Sequence, residues 1–89
     1  MNINITARNF KISSDFSEQI NKRINKLLKY DKYIYSAEVI LSKESRAEKV
    51  ELFISSKKCK YITKSVSSIF EKTLSRAIHN ITSQIRRKH

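Results

Sequence analysis

The sequence predicts an α+β fold: a β-α-β-β-β-α chain forming a two-layer sandwich, with a four-stranded sheet and two helices packed on one of its faces. Three observations carry it. Two stretches, one in each half of the chain, place apolar residues at helical spacing, and four others alternate apolar and polar residues as half-buried strands do. Each helix also has a single apolar stripe, so both are covered most simply on the same side of one sheet. With 89 residues, no linker, no repeat and no low-complexity block, the chain reads as one domain over residues 1–89.

The elements follow in order. Residues 2–7, "NINITA", set Ile3, Ile5 and Ala7 against Asn2, Asn4 and Thr6 as the first strand. In the first helix Phe16, Ile20, Ile24, Leu27 and Leu28 gather on one face, within roughly 120° of the circumference. Ser13 or Ser14 caps its start, Asp15 and Glu18 suit its N-terminal end, and it stops near Tyr30 or Asp31. "SAEVILS" turns Ala37, Val39 and Leu41 inward and "KVELFIS" does the same with Val50, Leu52 and Ile54, the two joined through the polar "SKESRAE". Glu38 and Glu51 are expected opposite each other on these strands. "CKYITKSV" is the last strand, with Tyr61 and Ile62 competing for its inner face. The second helix spans Ser67 to Arg87, capped by Ser67 or Ser68, with Phe70, Leu74, Ala77, Ile78, Ile81 and Ile85 as its stripe.

Charge gives the functional signal. "SEQINKRINKLLKYDK" carries Lys22, Arg23, Lys26, Lys29 and Lys32, with Lys22, Lys26 and Lys29 pointing away from the apolar face. The helix dipole favours cations near a C-terminus but does not require so many, and a solvated face ordinarily mixes signs. Lys plus Arg is 19 against 8 Asp plus Glu, for a net charge of +11. A coding bias that enriches Lys would enrich Glu too, so the imbalance points to a polyanionic partner: nucleic acid first, an anionic membrane second. On the second helix Lys72, Arg76, His79, Arg86 and Arg87 face away from the stripe. Two basic ridges side by side make a surface for straddling or wedging into folded RNA.

Catalysis finds little support. There is no glycine for a phosphate loop, and His79 and His89 lack Cys or Asp neighbours at ligand spacing, so neither enzyme activity nor a metal or other cofactor is expected. The lone Cys59 forms no internal disulfide, and the chain shows neither a signal peptide nor a membrane span, so a cytoplasmic location is expected. Tyr30, Tyr33 and Tyr35 interleave with the basic run; they read as covering the core rim, with Tyr30 the best candidate for base stacking.

"INITARNFKISSDFSEQINKRINKLLKY", "AEVILSKE" and "FEKTLSRAIHNITSQIRRK" resemble the ribosome hibernation promoting factor family, also called the YfiA or sigma-54 modulation family, in its short form. The most specific pieces are "INIT" followed by Arg8, the helix entry at Ile12 and Ser13, the Arg23-x-x-Lys26 spacing and "ILSKE" from Ile40 to Glu44. The resemblance implies a fold like that of double-stranded-RNA-binding domains. It also implies binding to the small ribosomal subunit and its rRNA in the channel used by mRNA and tRNA, in competition with both, silencing translation in starvation or stationary phase. Arg8, Arg23, Lys26 and Lys29 match the family's basic positions; Lys22, Arg76, Arg86, Arg87 and Lys88 complete the candidate RNA-binding set. On the second helix the match is partial: against the family's basic run the chain has Asn80, Ile81, Thr82, Ser83 and Gln84, keeping only the apolar position and the Gln. Either Arg86, Arg87 and Lys88 move that charge one turn onward or the helix contributes less. The sequence ends two residues after Arg87, whereas longer members add a linker and a self-associating domain, so a monomer that silences ribosomes without pairing them is expected. A generic double-stranded-RNA-binding module is the alternative, but it needs cations at the start of the last helix, where "SVSSIFEK" stands. A membrane-surface protein would need apolar stripes free of the core.

Overall fold

The computed structural model describes residues 1–88. β1 (Asn2–Arg8), α1 (Ser14–Asn25), β2 (Ile34–Glu44), β3 (Ala47–Ser56), β4 (Lys60–Ser67) and α2 (Phe70–Lys88) follow in the expected order. The sheet runs β1-β2-β3-β4. β1 and β2 pair in parallel, which needs the crossover that α1 supplies, and the other neighbours are antiparallel.

Both helices lie over the same face. Ile20, Ile24 and Leu27 from the first helical segment and Leu74, Ala77, Ile81 and Ile85 from α2 join Ala37, Val39, Leu41, Val50, Leu52 and Ile54 in one buried cluster. β1 is an edge strand, so Ile3 and Ile5 are only half-buried against it. On β4 the inner position goes to Tyr61, followed by Thr63 and Ser65, while Ile62 is 51 % exposed.

Several boundaries differ from expectation for local reasons. α1 is α-helical only to Asn25; Lys26–Lys29 tighten into a 3₁₀ turn, a common way for a last turn to close. The Ser13 hydroxyl caps α1 by accepting from Phe16 N at 3.1 Å. The β2–β3 hairpin closes through Ser45 and Arg46 alone, so most of "SKESRAE" is strand. Asn9, at φ 70°, is the one positive-φ residue among those described, so this turn needs none of the left-handed geometry that favours glycine. Glu38 stands opposite Phe53 and Glu51 opposite Ile40, so the two acids are diagonal neighbours rather than directly paired.

The start of α2 is the largest correction. Neither Ser67 nor Ser68 caps it: Ser67 ends β4 and its hydroxyl donates to Ile69 O at 3.0 Å. The open Phe70 N–H donates instead to Glu48 Oε1 at 2.6 Å, a carboxylate brought in by β3. Thr73, fully buried, sets its hydroxyl 2.8 Å from Ile69 O and 3.1 Å from Glu48 O, tying the first turn to the same strand.

Candidate nucleic-acid interface

The topology decides how the basic residues are gathered. β4 runs antiparallel to β3 and β3 antiparallel to β2, so β4 points the same way as β1. Each helix folds back against the strand before it, and therefore α1 and α2 are parallel to each other. Cross-helix contacts keep step with this: the Phe16 and Phe70 rings lie 6.1 Å apart, Arg23 Nη2 donates to Ser75 Oγ at 3.0 Å, and the Arg86 guanidinium sits 5.4 Å from the centre of the Tyr30 ring.

Parallel helices put both positive dipole ends together and both negative ends together. The sequence complements them. Asp15 and Glu71 occupy the first turns, while Lys22 and Arg23 lie in the last turn of α1 and Arg86, Arg87 and Lys88 in that of α2. One end of the helical layer is acidic and aromatic, and the other is strongly basic.

Between the basic halves runs a groove lined by Arg23, Lys26, Leu27 and Tyr30 from one side and by Ile78 and Thr82 from the other. Arg86 reaches it through its contact with Tyr30. Among the described residues ion pairs form on the sheet, at Lys43–Glu48, Lys49–Glu51 and Lys64–Glu51, and none involves a helix cation. Among the described residues the helix cations therefore have no acidic partner.

The candidate residues are not all in one place. Arg23, Lys26 and Arg86 meet at the groove, and Lys22 and Lys29 stand exposed on the same basic half. Arg76 lies on the other flank of α2, in a shallow hollow with Ser65, Val66, His79 and Asn80. Arg87 follows it by three helical turns and falls on that flank too, with Lys88 exposed at the helix end. Arg8 stands apart: strand alternation turns Ile3, Ile5 and Ala7 toward the helices and Arg8 to the opposite face.

The altered run on α2 has a structural use. Asn80 Nδ2 donates to Thr63 Oγ1 at 3.2 Å and Gln84 Nε2 to Ile62 O at 2.9 Å, fastening α2 along β4. Sequence reasoning missed this, as it missed the Arg86–Tyr30 contact and the gathering of Lys32, Tyr33 and Lys58, whose ammonium groups lie 5.4 and 5.1 Å from the Tyr33 ring centre. The one available signal was the alternation of tyrosines with lysines. Among the described residues no group of His, Cys, Asp and Glu is arranged to hold a metal ion, and no helix is long and apolar enough to cross a membrane. His89 lies outside the described residues.

The chain is thus an α+β sandwich whose parallel helices gather basic side chains at one end. Over residues 3–89 the sequence matches the family described as Sigma 54 modulation protein / S30EA ribosomal protein, and the chain belongs to that family. No curated protein matches it significantly in sequence. Among solved structures it resembles a ribosomal subunit interface protein from Coxiella burnetii, with a TM-score of 0.91 at 17 % identity over 99 % of this chain and 97 % of that one. It also resembles the N-terminal domain of Thermus thermophilus Protein Y, with a TM-score of 0.91 at 20 % identity over the full length of both chains. At these identities the likeness establishes the fold.

Proposed function

We propose that this protein is a ribosome hibernation factor that occupies the mRNA and tRNA channel of the small ribosomal subunit and reversibly blocks translation under starvation or in stationary phase. The observation that carries this reading is the basic end of the parallel helices, where Arg23 and Lys26 line one groove, Arg86 lies over the ring of Tyr30 at its edge, and no helix cation is paired with an acid among the described residues. Membership of the sigma-54 modulation protein / S30EA ribosomal protein family supports a ribosomal partner, and the fold, shared with a ribosomal subunit interface protein, agrees with it. The start of α2 disfavours a generic duplex-RNA module. That module would present cations there, whereas here the first turn holds Glu71 and receives the Glu48 carboxylate.

Inhibition on this reading is occupancy. No covalent bond changes, so excess mRNA and initiator tRNA restore translation by mass action. The test is co-sedimentation with small subunits across a salt series, using the triple variant Arg23→Glu, Lys26→Glu, Lys29→Glu. The fold should survive, because these side chains lie outside the buried cluster and Arg23 gives up one exposed hydrogen bond, worth about 1 kcal/mol. Binding should be abolished at physiological salt, and single neutralisations should each flatten the salt slope by about 0.7–0.9. Unchanged binding by the folded triple variant would remove the groove from the interface.

A further inference from the structure

The loop end of the sheet carries a second feature that the helix groove does not use. Tyr33 follows the 3₁₀ turn and is 38 % exposed, with Lys32 Nζ 5.4 Å and Lys58 Nζ 5.1 Å from its ring centre. Its backbone is fixed from both directions: Tyr33 N donates to Asp31 Oδ1 at 2.9 Å, and Tyr33 O accepts from Lys57 N at 3.1 Å. Asp31 is itself buried and accepts from the Tyr61 hydroxyl at 2.8 Å. Ser56 N donates to Cys59 O at 2.9 Å, which closes the β3–β4 turn beside it. The ring is thus held on a braced loop, while the two ammonium groups sit on flexible stems.

This patch is continuous with the groove. Tyr30 lines both the groove, with Arg23 and Lys26, and a hollow of about 280 Å³ shared by Leu28, Lys29, the buried Asp31, Lys32, Tyr33 and Lys58. A strand whose phosphates lie along the groove would therefore pass Tyr30 and arrive at Tyr33. An aromatic face braced in place and flanked by lysines is the combination that binds unpaired nucleotides, the ring stacking on the base and the cations meeting the phosphates on each side. An exposed ammonium over a ring is held more weakly than a stacked base, so a base displaces it and the freed cation moves to phosphate.

We infer that Tyr33, Lys32 and Lys58 form a stacking site for an unpaired base of single-stranded RNA, extending the basic groove by one nucleotide position. The inference rests on the ribosomal RNA reading for its biological partner, but its chemistry can be tested alone. The probes are a short oligoadenylate, an RNA duplex of similar charge and purified small subunits. Tyr33→Ala should weaken oligoadenylate binding by about tenfold or more, Tyr33→Phe should bind within about twofold of the unmutated protein, and duplex binding should change little, since paired bases cannot reach the ring. Lys32→Ala and Lys58→Ala should each lower the salt slope for oligoadenylate by about 0.7, the single-strand value. In the unmutated protein, the Tyr33 ring-proton resonances should move upfield on titration with oligoadenylate, a readout that does not depend on any variant folding. Oligoadenylate binding indifferent to Tyr33→Ala, or unmoved ring resonances, would overturn the site. Loss of small-subunit binding in the helix triple variant together with an indifferent Tyr33 refutes the stacking site alone. Tyr33-dependent oligoadenylate binding by a protein that ignores small subunits refutes the ribosomal reading alone.

Discussion

Tyr61 shows how one buried side chain settles a strand. Its ring fills the inner face of β4 at 0 % exposure, and its hydroxyl donates to Asp31 Oδ2 at 2.8 Å. Burial, then hydrogen bonding with the Cys59 and Asp31 side chains, raises the phenol well above its ordinary value. The fold therefore favours the neutral phenol. Its contribution is complete below about pH 10, where a free tyrosine ionises, and is lost as pH climbs beyond that value. Tyr61→Phe should cost about 1–3 kcal/mol at neutral pH, because buried Asp31 loses a donor, and should flatten the loss of stability on the alkaline side. Urea unfolding of both proteins across the alkaline range measures both effects. In the sequence Tyr61 and Ile62 compete for the inner face because both are apolar enough to fill it. The structure separates them through a hydroxyl whose partner lies 30 residues earlier, beyond the reach of any local pattern.

At the scale of the element, α2 illustrates what periodicity reads and what it misses. Leu74, Ala77, Ile81 and Ile85 fall on one stripe, and that stripe is buried. The helix start was not legible, because its cap is Glu48, 22 residues before the N–H it receives. Ser67 and Ser68 look like caps in the sequence, yet Ser67 is still in β4 and its hydroxyl serves Ile69 O. Glu48→Ala should destabilise the protein by about 1–2 kcal/mol, equivalent to a fall in Tm of roughly 4–16 °C, while Glu48→Gln should keep an acceptor and lose less. Thermal unfolding followed by circular dichroism distinguishes the two. Almost none of that loss should come from the Lys43–Glu48 pair, whose 3.9 Å separation and exposed lysine make it a weak surface contact. Asn80 and Gln84 carry the complementary lesson. Asn80, a replacement that looks like lost binding charge in the sequence, is a donor to β4 in the structure, beside the family's retained Gln84.

For the whole molecule, the governing feature is polarity. The excess of 19 basic over 8 acidic residues is legible from composition, and the basic faces of both helices are legible from spacing. That the two ridges lie side by side follows from the element order; that their basic ends fall together rests on β4 running in the same direction as β1, which the strand pairings set. That convergence places Arg23 and Lys26 in one groove with Arg86 over the neighbouring Tyr30 ring, while leaving Arg8 on the opposite face of the sheet. The central claim is that this end enters the mRNA and tRNA channel, with the groove against rRNA phosphates and the helix-free sheet face turned away. A density map of the protein bound to small ribosomal subunits tests it directly. The expected result is density in that channel with Arg23, Lys26 and Arg86 within contact distance of phosphates; density elsewhere on the subunit, or the sheet face laid on the RNA, would contradict it.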